Sequence, residues 1–411
     1  MRAIIDDIWL IVTIIIIISG LITNSFLLVM LGVIIPTSIV SAKWWAKISL
    51  NGIIISQTLS KQKLFEGENT ILFLNVQNAK WLPVPWLELK KQIPRDLQVN
   101  GPFLFNSSTN MNQLLLNASL RKDSQITWEI EIFCSRRGIY RIGKSIIKSG
   151  DFFGLYENEK NGSEQFIDLV VYPRIYEFEE LSLESIKPFG ELRGKEVIFQ
   201  DTSQLIGIRD YQLGDPMKHI DWKASARSMK LQSRLFAPSG SYALVIALDI
   251  STFAQSWKGS DPVLVERAVS VAASIAKWGE DRGYDLGLIS NDYYARGRPI
   301  RVGVGRHPER LSRILDALAA VNAFTGSNLA DELNSVLTGG LPMGTTVVVI
   351  AALMSENLAD SLFKLVNDRH QVYVLKTSSN KWSEDLGSIP VIDISKSFNS
   401  EKAEKGSAKA S

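Results

Sequence analysis

The stretch from Gly207 to Arg227, GIRDYQLGDPMKHIDWKASAR, holds the densest set of side chains in this chain that could carry chemistry. Its charged, aromatic and hydroxyl side chains with a candidate role are Arg209, Asp210, Tyr211, Asp215, Asp221, Trp222, Ser225 and Arg227. One hypothesis is a catalytic or ligand-binding set of acids and bases. The other is a structural clasp of ion pairs around Tyr211 and Trp222, because an Arg guanidinium matches a carboxylate with two parallel hydrogen bonds. The clasp is favoured, since no nucleophile with a base and an orienting group is visible.

Turn and capping signals predict the local structure of this stretch. Gly214-Asp215-Pro216 is a turn in which the proline suits a first helical position. Asp221 can cap a second short helix, whose far end carries Lys223 and Arg227. The pattern therefore predicts two short helical turns and no strand. The ion pairs expected in the clasp, which would hold two domains at a fixed angle, join Asp215 and Asp221 to Arg209 and Arg227.

The central stretch resembles the domain of unknown function 58 family. The segments RRGIYRIG at 136–143 and SGDFFGLYE at 149–157 upstream, and ALDIS at 247–251 downstream, carry the same resemblance, which extends from the apolar N-terminus to about residue 395. It implies that the C-terminal half is similar to a von Willebrand factor type A domain. It also implies an ATPase of the MoxR class, an AAA+ protein, as a partner, and it brings no established reaction.

Length and composition indicate several domains and exclude some functions. The chain has 411 residues, 45 basic and 43 acidic, and 45% of its residues are hydrophobic. It can therefore bury a sizeable core, and its near neutrality gives no argument for nucleic-acid binding. Cys134 is the single cysteine, and the three histidines are far apart in sequence, so neither an internal disulfide nor a structural zinc site is expected.

An apolar segment opens the chain. No charged residue occurs from Ile8 to Ala42, which is longer than one crossing of a hydrocarbon core of roughly 30 Å requires. We expect a transmembrane helical hairpin over residues 1–43, with helices from about Ile4 to Ile22 and from about Ser25 to Val40. The alternatives are a signal peptide, whose apolar run would be shorter, and a buried soluble helix, which would carry polar residues on one face.

Basic residues flank this apolar segment and predict its orientation. Arg2 precedes it and Lys43 and Lys47 follow it, while the turn between the two helices has no basic residue. Positive charge marks the cytoplasmic side, so we expect a multi-pass protein of the cell membrane with its soluble domains in the cytoplasm. Trp44 and Trp45 would anchor the second helix at the lipid interface.

The next region alternates apolar and polar residues. The period of two over Thr70–Val76 and Ile126–Ile132, with turn residues between such runs, predicts a β-sandwich over residues 44–178. Residues 136–154 could form a basic ligand patch, although a strand followed by an aromatic turn explains them better. Residues 179–240 are assigned to a linker and the central motif.

Short continuous apolar runs then alternate with helical stretches, as in Ala243–Leu248, Thr346–Ile350 and Val372–Leu375. Such runs suit a parallel sheet covered on both faces, so residues 241–395 are predicted to form an α/β doubly wound domain. The helices expected between these runs cover 262–282, 308–321, 328–337 and 355–369. The tail, residues 396–411, has a composition typical of disorder.

A metal-ligand pattern stands at the end of the first of these strands. The resemblance implies Mg²⁺ held by an Asp-x-Ser-x-Ser run, a distant Thr and a further Asp. Asp249 and Ser251 match it, and Thr325, or Ser327, could be the distant hydroxyl. Phe253 and the Ala351-Ala352 pair depart from it, so we expect a weak, incomplete Mg²⁺ site and otherwise no cofactor. The alternative is a strand-end Asp that accepts hydrogen bonds from neighbouring backbone N–H groups.

These observations favour a membrane-anchored, non-enzymatic adaptor or assembly factor that acts through protein contacts. A metal-dependent hydrolase that uses Asp215, Asp221 or Asp249 is the alternative from the enzyme class. A structural envelope protein is the third hypothesis.

Overall fold

The computed structural model covers most of the chain. It describes residues 2–99, 104–106, 111–162, 165–177, 200–212, 217–238, 243–253, 255, 258–294, 297, 299–322, 326–342, 344–380, 382 and 384–395, and of residues 2–11, 104–106, 200–206 and 235–238 only the backbone. The predicted linker around 178–199, the predicted disordered tail, Gly214, Asp215 and Thr325 therefore lie outside the described residues. The chain forms two compact units, Met1–Tyr172 and Pro173–Ser411.

Two helices open the first unit. Helix α1 (Arg2–Ile22) and helix α2 (Phe26–Ser49) are joined by a tight turn in which Asn24 has a positive φ of 46°. They pack closely, since a Cβ at Gly32 would lie 2.4 Å from the Ile17 side chain. Among the described residues, α2 is the helix that is long and apolar enough to cross a membrane.

Helix α2 is longer than the sequence predicts. The expected end at Val40 is wrong, because the helix continues to Ser49. Ala42, Ala46 and Ser49 recur on one helical face and are buried, and the next residue, Leu50, belongs to the core of the β-strands that follow. The apolar run therefore ends before the helix does, because packing against the strands stabilises the helix beyond Val40.

The rest of the first unit is built from strands. Among the described residues they are β1 (Ile53–Leu59), β2 (Lys63–Phe65), β3 (Asn69–Asn78), β4 (Val84–Pro94), β5 (Leu97–Val99), β6 (Leu104–Asn106), β7 (Met111–Leu120), β8 (Gln125–Cys134), β9 (Gly138–Ile142), β10 (Ser145–Gly150), β11 (Glu157–Asn161) and β12 (Ile167–Tyr172). They form sheets of order β1-β3-β8-β5, β11-β10-β4-β7-β6 and β2-β12-β9. Apart from the parallel pair β2 and β12, neighbouring strands are antiparallel.

Alternation explains how these sheets share one core. In β3, Leu72, Leu74 and Val76 are buried while the residues between them are more exposed, and in β4 Leu87 and Leu89 are buried in the same cluster. Strands of two sheets thus turn every second side chain into a common apolar layer, which is the arrangement of a β-sandwich.

A lysine side chain is buried in the interior of the first unit. Lys91 of β4 is fully buried, and its Nζ donates hydrogen bonds to Gln57 Oε1, to the Gly143 carbonyl and, at 3.4 Å, to Ser145 Oγ. Burial lowers the pKa of Lys91 from its ordinary 10.5 to about 8. The ammonium is therefore compensated by hydrogen bonds but is still poorly solvated.

The second unit begins with an antiparallel hairpin. Strands β13 (Gln200–Asp210) and β14 (Gln232–Pro238) pair, and between them lie a 3-10 turn (Met217–His219) and helix α3 (Trp222–Ser228). The prediction of helical turns without a strand is therefore wrong for Gly207–Asp210, which belong to β13. The helix capped by Asp221 is present, but Lys223 lies in its first turn and only Arg227 lies in its last.

A six-stranded sheet follows, in the order β17-β16-β15-β18-β19-β20. Its strands are β15 (Ala243–Leu248), β16 (Asp285–Tyr293), β17 (Pro299–Gly305), β18 (Thr346–Ala351), β19 (Gln371–Lys376) and β20 (Val391–Asp393). The edge strand β17 is antiparallel to its neighbour and the others run parallel. If β15 to β20 are numbered 1 to 6 in chain order, the order in the sheet is 3-2-1-4-5-6. This is the strand order of a doubly wound fold.

Helices cover both faces of this sheet. They are α4 (Pro262–Asp281), α5 (Arg310–Ala320), α6 (Leu329–Thr338) and α7 (Glu356–Asn367). Alternate residues of β15 separate the faces: Val245 packs in a cluster with α6 and α7, whereas Leu244 points toward Gly279 of α4. Three of these helices start as their sequences indicate, because side chains of the residues before α4, α6 and α7 cap them.

We predict that Lys91 makes stability depend on pH in a defined window. Between pH 8 and about 10.5 the folded chain releases the Lys91 proton while the unfolded chain keeps it, so the free energy of unfolding should rise with pH, by about 3 kcal/mol at most. Denaturant unfolding of the detergent-solubilised chain measures this. Lys91→Met should abolish this rise relative to the parent, and Lys144→Met, at an exposed lysine, should keep it. Equal pH profiles for parent and Lys91→Met would contradict the prediction.

Candidate functional site

The segment between β13 and β14, residues 211–231, is called the insert below. Its base is closed by the hairpin, in which Asp210 pairs with Gln232 in register. The Gln232 side chain also donates to Asp210 Oδ1 at 2.5 Å, and the Tyr211 N–H donates to the Leu231 carbonyl at 2.9 Å. The two ends of the insert are thus held together by main-chain and side-chain hydrogen bonds.

Asp221 organises the described part of the insert. Its Oδ1 accepts the N–H groups of Lys223 at 3.1 Å and Ala224 at 3.0 Å, and its Oδ2 accepts Arg234 Nε at 3.0 Å. The Ala224 N–H, followed by the Arg234 guanidinium, holds the pKa of Asp221 below its ordinary value. One carboxylate therefore caps α3 and also ties that helix to β14.

Ser225 makes a second connection between the same elements. Its Oγ donates to the Asp221 carbonyl at 2.7 Å and accepts the Gln232 N–H at 2.9 Å. The Asp221 N–H in turn donates to the Gln232 carbonyl at 2.9 Å. Two of these hydrogen bonds therefore fix the start of α3 to the first residue of β14, which gives the described part of the insert a defined shape.

The predicted ion-pair clasp is only partly what the structure shows. Asp221 pairs with Arg234, a residue that the sequence prediction did not include, and not with Arg209 or Arg227. Arg209 lies in β13, where its guanidinium donates to the Asp210 carbonyl at 3.3 Å, and Arg227 lies exposed in the last turn of α3. The prediction failed because it assigned no strand to Gln232–Pro238, and only the hairpin register brings Arg234 to the start of α3.

The clasp was also expected to surround Trp222, and this is wrong. The Trp222 side chain is 68% exposed, and Met217 and Met229 are 75% and 91% exposed. Met229 has a positive φ of 52°, and α3 ends at this left-handed residue. The described part of the insert is thus a fixed frame that presents large apolar side chains to its surroundings.

The second candidate site lies at the carboxyl end of β15. Asp249 is buried, and its Oδ1 accepts the Ser251 N–H at 2.8 Å and Asn291 Nδ2 at 2.8 Å. Asn291 Nδ2 also donates to Ser251 Oγ at 3.0 Å, and Asn291 Oδ1 accepts the Ile250 N–H at 3.0 Å. Burial raises the pKa of the Asp249 carboxyl, against the opposing effect of these hydrogen bonds.

These residues do not fit a Mg²⁺ site. The Asn291 amide donates from between the Asp249 and Ser251 oxygens, so a cation there would face N–H groups instead of lone pairs. Among the described residues no cluster of three His, Cys, Asp or Glu side chains could hold a metal ion. Thr325, the third predicted ligand, lies outside the described residues. The arrangement of Asp249 is that of a strand-end acid which orders the following turn.

Sequence reasoning missed Asn291 because it predicted no strand over residues 285–291, which in the structure belong to β16. Asn291 lies near the end of β16, next to β15 in the sheet, so its side chain reaches Asp249 across two parallel strand ends. The neighbouring Asp292 is also buried and accepts the N–H groups of Tyr293 at 2.7 Å and Asn322 at 2.5 Å. Both residues therefore order loops at this edge of the sheet.

Comparison with known proteins supports the resemblance over part of the chain. The model of the family described as "Protein of unknown function DUF58" matches residues 207–402, which include the insert and the α/β domain. The resemblance was expected to begin at the N-terminus, so this match is shorter. The "Uncharacterized protein YeaD" of Bacillus subtilis (strain 168) is 25% identical over 236 residues. That similarity covers 57% of this chain and 55% of the length of that protein.

Solved structures give weak likenesses. A non-cellulosomal cohesin from the archaeon Archaeoglobus fulgidus is 11% identical. The similarity covers 29% of this chain and 90% of the cohesin chain, at a TM-score of 0.21. A collagen-binding domain from a Staphylococcus aureus adhesin is 8% identical. That similarity covers 29% of this chain and 96% of the collagen-binding domain, at a TM-score of 0.17. At such TM-scores nothing is inferred from either.

We predict that Asp221 is the residue on which the shape of the insert depends. Asp221→Ala removes the cap of α3 and the partner of Arg234, so the insert should open and trypsin should cleave faster after Arg227 and Lys230. Asp221→Asn keeps a capping oxygen and should have a milder effect. Time-resolved digestion with mass spectrometry measures both rates. Parent-like cleavage of Asp221→Ala would contradict this role.

A further prediction concerns the carboxyl edge of the six-stranded sheet, where Asp249 lies. Asn291→Asp places two carboxylates in contact, so at neutral pH it should destabilise the chain by roughly 3 kcal/mol, and acid should restore part of that loss. Asn328→Asp, which keeps a capping oxygen at the start of α6, is the matched control and should be neutral. Thermal unfolding measures both, with MgCl₂ or EDTA. A parent chain that Mg²⁺ stabilises and EDTA destabilises would overturn the assignment of this site.

Proposed function

We propose that this protein is a membrane-anchored, non-enzymatic adaptor that binds a protein partner through the insert. The observation that carries the proposal is the exposure of Trp222, Met217 and Met229 on a frame fixed by Asp221 and Ser225. Trp, Met and Arg are enriched in protein interfaces relative to the rest of the protein surface. A frame that is already ordered also lowers the entropic cost of binding.

The chemistry of the insert supports recognition over catalysis. Asp221 directs its carboxylate oxygens to two backbone N–H groups and one guanidinium, and Asp249 directs Oδ1 to one backbone N–H and one amide. Both acids therefore order the chain around them, which is the behaviour of structural carboxylates. The hydrolase hypothesis named these two acids and Asp215, which lies outside the described residues, and it required one of the three to be directed at a substrate or a metal ion.

The anchor in this proposal is the pair α1 and α2. Helix α2 has the length and apolar composition of a membrane span, and small residues allow the close approach of α1, as in membrane helix pairs. We propose that both helices cross the bilayer as a hairpin. The basic residues Arg2, Lys43 and Lys47 flank this hairpin and, because positive charge favours the cytoplasmic side, support a cytoplasmic location for both ends and for the soluble units.

For the partner we propose an AAA+ ATPase of the MoxR class, on the basis of the family resemblance. The resemblance also implies that the α/β domain is of the von Willebrand factor type A kind. The strand order 3-2-1-4-5-6 with an antiparallel edge strand supports that assignment. In this scheme the exposed face of the insert, and not a metal ion, provides the contact.

We expect the following result from binding measurements with a purified MoxR-class ATPase and the detergent-solubilised full chain. Trp222→Ala should weaken binding at least about tenfold, as an interface hot spot does, and Met229→Ala should weaken it less. Trp81→Ala removes a comparably exposed tryptophan, 72% exposed, from the first unit and should have no effect. EDTA should not change the affinity, and Asp249→Ala should reduce it only modestly.

Two outcomes would contradict this function. Binding that Trp222→Ala leaves intact would remove the insert from the interface. Binding that EDTA abolishes, together with loss on Asp249→Ala, would favour a metal-dependent role for the α/β domain.

A further inference from the structure

The turn between β10 and β11, residues 151–156, has a well-ordered frame and is called the aromatic turn below. Asp151 is 1% exposed, and its carboxylate accepts the N–H groups of Phe153 at 2.8 Å and Tyr156 at 2.6 Å. Trp86 Nε1 donates to the Asp151 carbonyl at 3.1 Å, and Gly154 has a φ of 70° that closes the turn. The turn is therefore fixed from inside the sandwich.

The outer side of the aromatic turn is apolar. Phe152, Phe153 and Leu155 are 75%, 74% and 63% exposed, and the two phenyl rings meet edge to face with centroids 6.1 Å apart. Removing such side chains from water is favourable, because it buries apolar surface. An ordered turn that holds three of them outward is typical of a surface that contacts another apolar phase.

Helix α2 lies next to this turn. It contacts β10 and β11, and Lys43 Nζ lies 5.9 Å from the centroid of the Tyr156 ring. Its buried face, with Ala42 and Ala46, rests on the sandwich, and Lys80 Nζ donates to the carbonyl groups of Ile48 and Ser49 at the end of the helix. The position of the aromatic turn relative to α2 is therefore set by packing within one unit.

The position of the aromatic turn along the axis of α2 determines whether the turn lies at the level of the lipid headgroups. The apolar run of α2 ends at Val40, and Lys43 follows three residues, or about 5 Å, later. A lysine and the exposed Trp44 at that point mark the level of the lipid headgroups. Because Tyr156 contacts Lys43, the aromatic turn lies at the same level, and its apolar side chains can reach the acyl boundary.

We propose that Phe152, Phe153 and Leu155 insert into the bilayer that holds α2 and form a second membrane contact of the first unit. This inference rests on the membrane anchoring proposed above. Aromatic and aliphatic side chains partition into the interface, and Lys43 beside them can bind anionic headgroups. The two contacts together fix the orientation of the sandwich on the membrane surface.

The test uses the full chain in vesicles of phosphatidylcholine and phosphatidylglycerol. A polarity-sensitive fluorophore is attached at Phe153→Cys or Leu155→Cys, with Lys144→Cys, exposed at the opposite end of β10, as the matched control. Cys134 needs no replacement, because burial raises the pKa of its thiol to about 11 and shields it from reagent. Acyl-chain nitroxide lipids then quench a fluorophore that enters the bilayer, and flotation of the vesicles reports the anchoring separately.

We expect several-fold stronger quenching and a blue-shifted emission at positions 153 and 155 than at 144, in chains that float with the vesicles. Floating chains with equal quenching at all three positions would overturn the second contact and leave the anchor intact. Chains that stay at the bottom of the gradient would overturn the anchor, and the second contact with it. Blue-shifted emission at 153 and 155 without nitroxide quenching would assign the aromatic turn to a protein contact instead.

Discussion

Hydrogen bonds from backbone N–H groups to aspartate side chains shape the turns of this protein. Asp151, Asp221 and Asp249 each stand where one element ends or another begins, and each accepts the N–H group two residues further on. A carboxylate in that position supplies the partner that a backbone N–H loses on leaving a strand or entering a helix. The aromatic turn, the insert and the edge of the α/β sheet all depend on this one interaction.

The same interaction changes how acidic residues in such a sequence should be interpreted. A cluster of Asp and Arg between two domains has the composition of an acid-base site, and only the direction of each oxygen distinguishes catalysis from structure. In Asp221 the oxygens are divided between a helix start and a strand. In Asp249 burial disfavours the charged form, so the surrounding donors are needed for the fold itself.

Local signals in the sequence predicted local structure well. Asp261 before Pro262, Asn328 and Ser355 mark helix starts because capping is a contact between near neighbours in the chain. Alternation over β3 and β8, and continuous apolar runs over β15 and β18, likewise follow from burial on one or two faces.

The errors have a common cause, since they concern contacts between residues far apart in sequence. Arg234 reaches Asp221 through the register of β13 and β14, and Asn291 reaches Asp249 across neighbouring strand ends. The sequence of β14 does not alternate apolar and polar residues, so its periodicity does not predict the hairpin. The extension of α2 past Val40 is of the same kind, because packing against the sandwich and not helix propensity sustains it.

The unbroken course of α2 from its apolar segment into the sandwich has a mechanical consequence. A membrane helix adjusts to bilayer thickness by changing its tilt, which averages about 20° among known spans. Because the last turns of α2 are packed into the first unit and held there by Lys80, an α2 that crosses a bilayer, as proposed, could not change its tilt independently of that unit. In the membrane anchor proposed above, the sandwich therefore follows any tilt of the helix, and the second contact at the aromatic turn opposes that tilt.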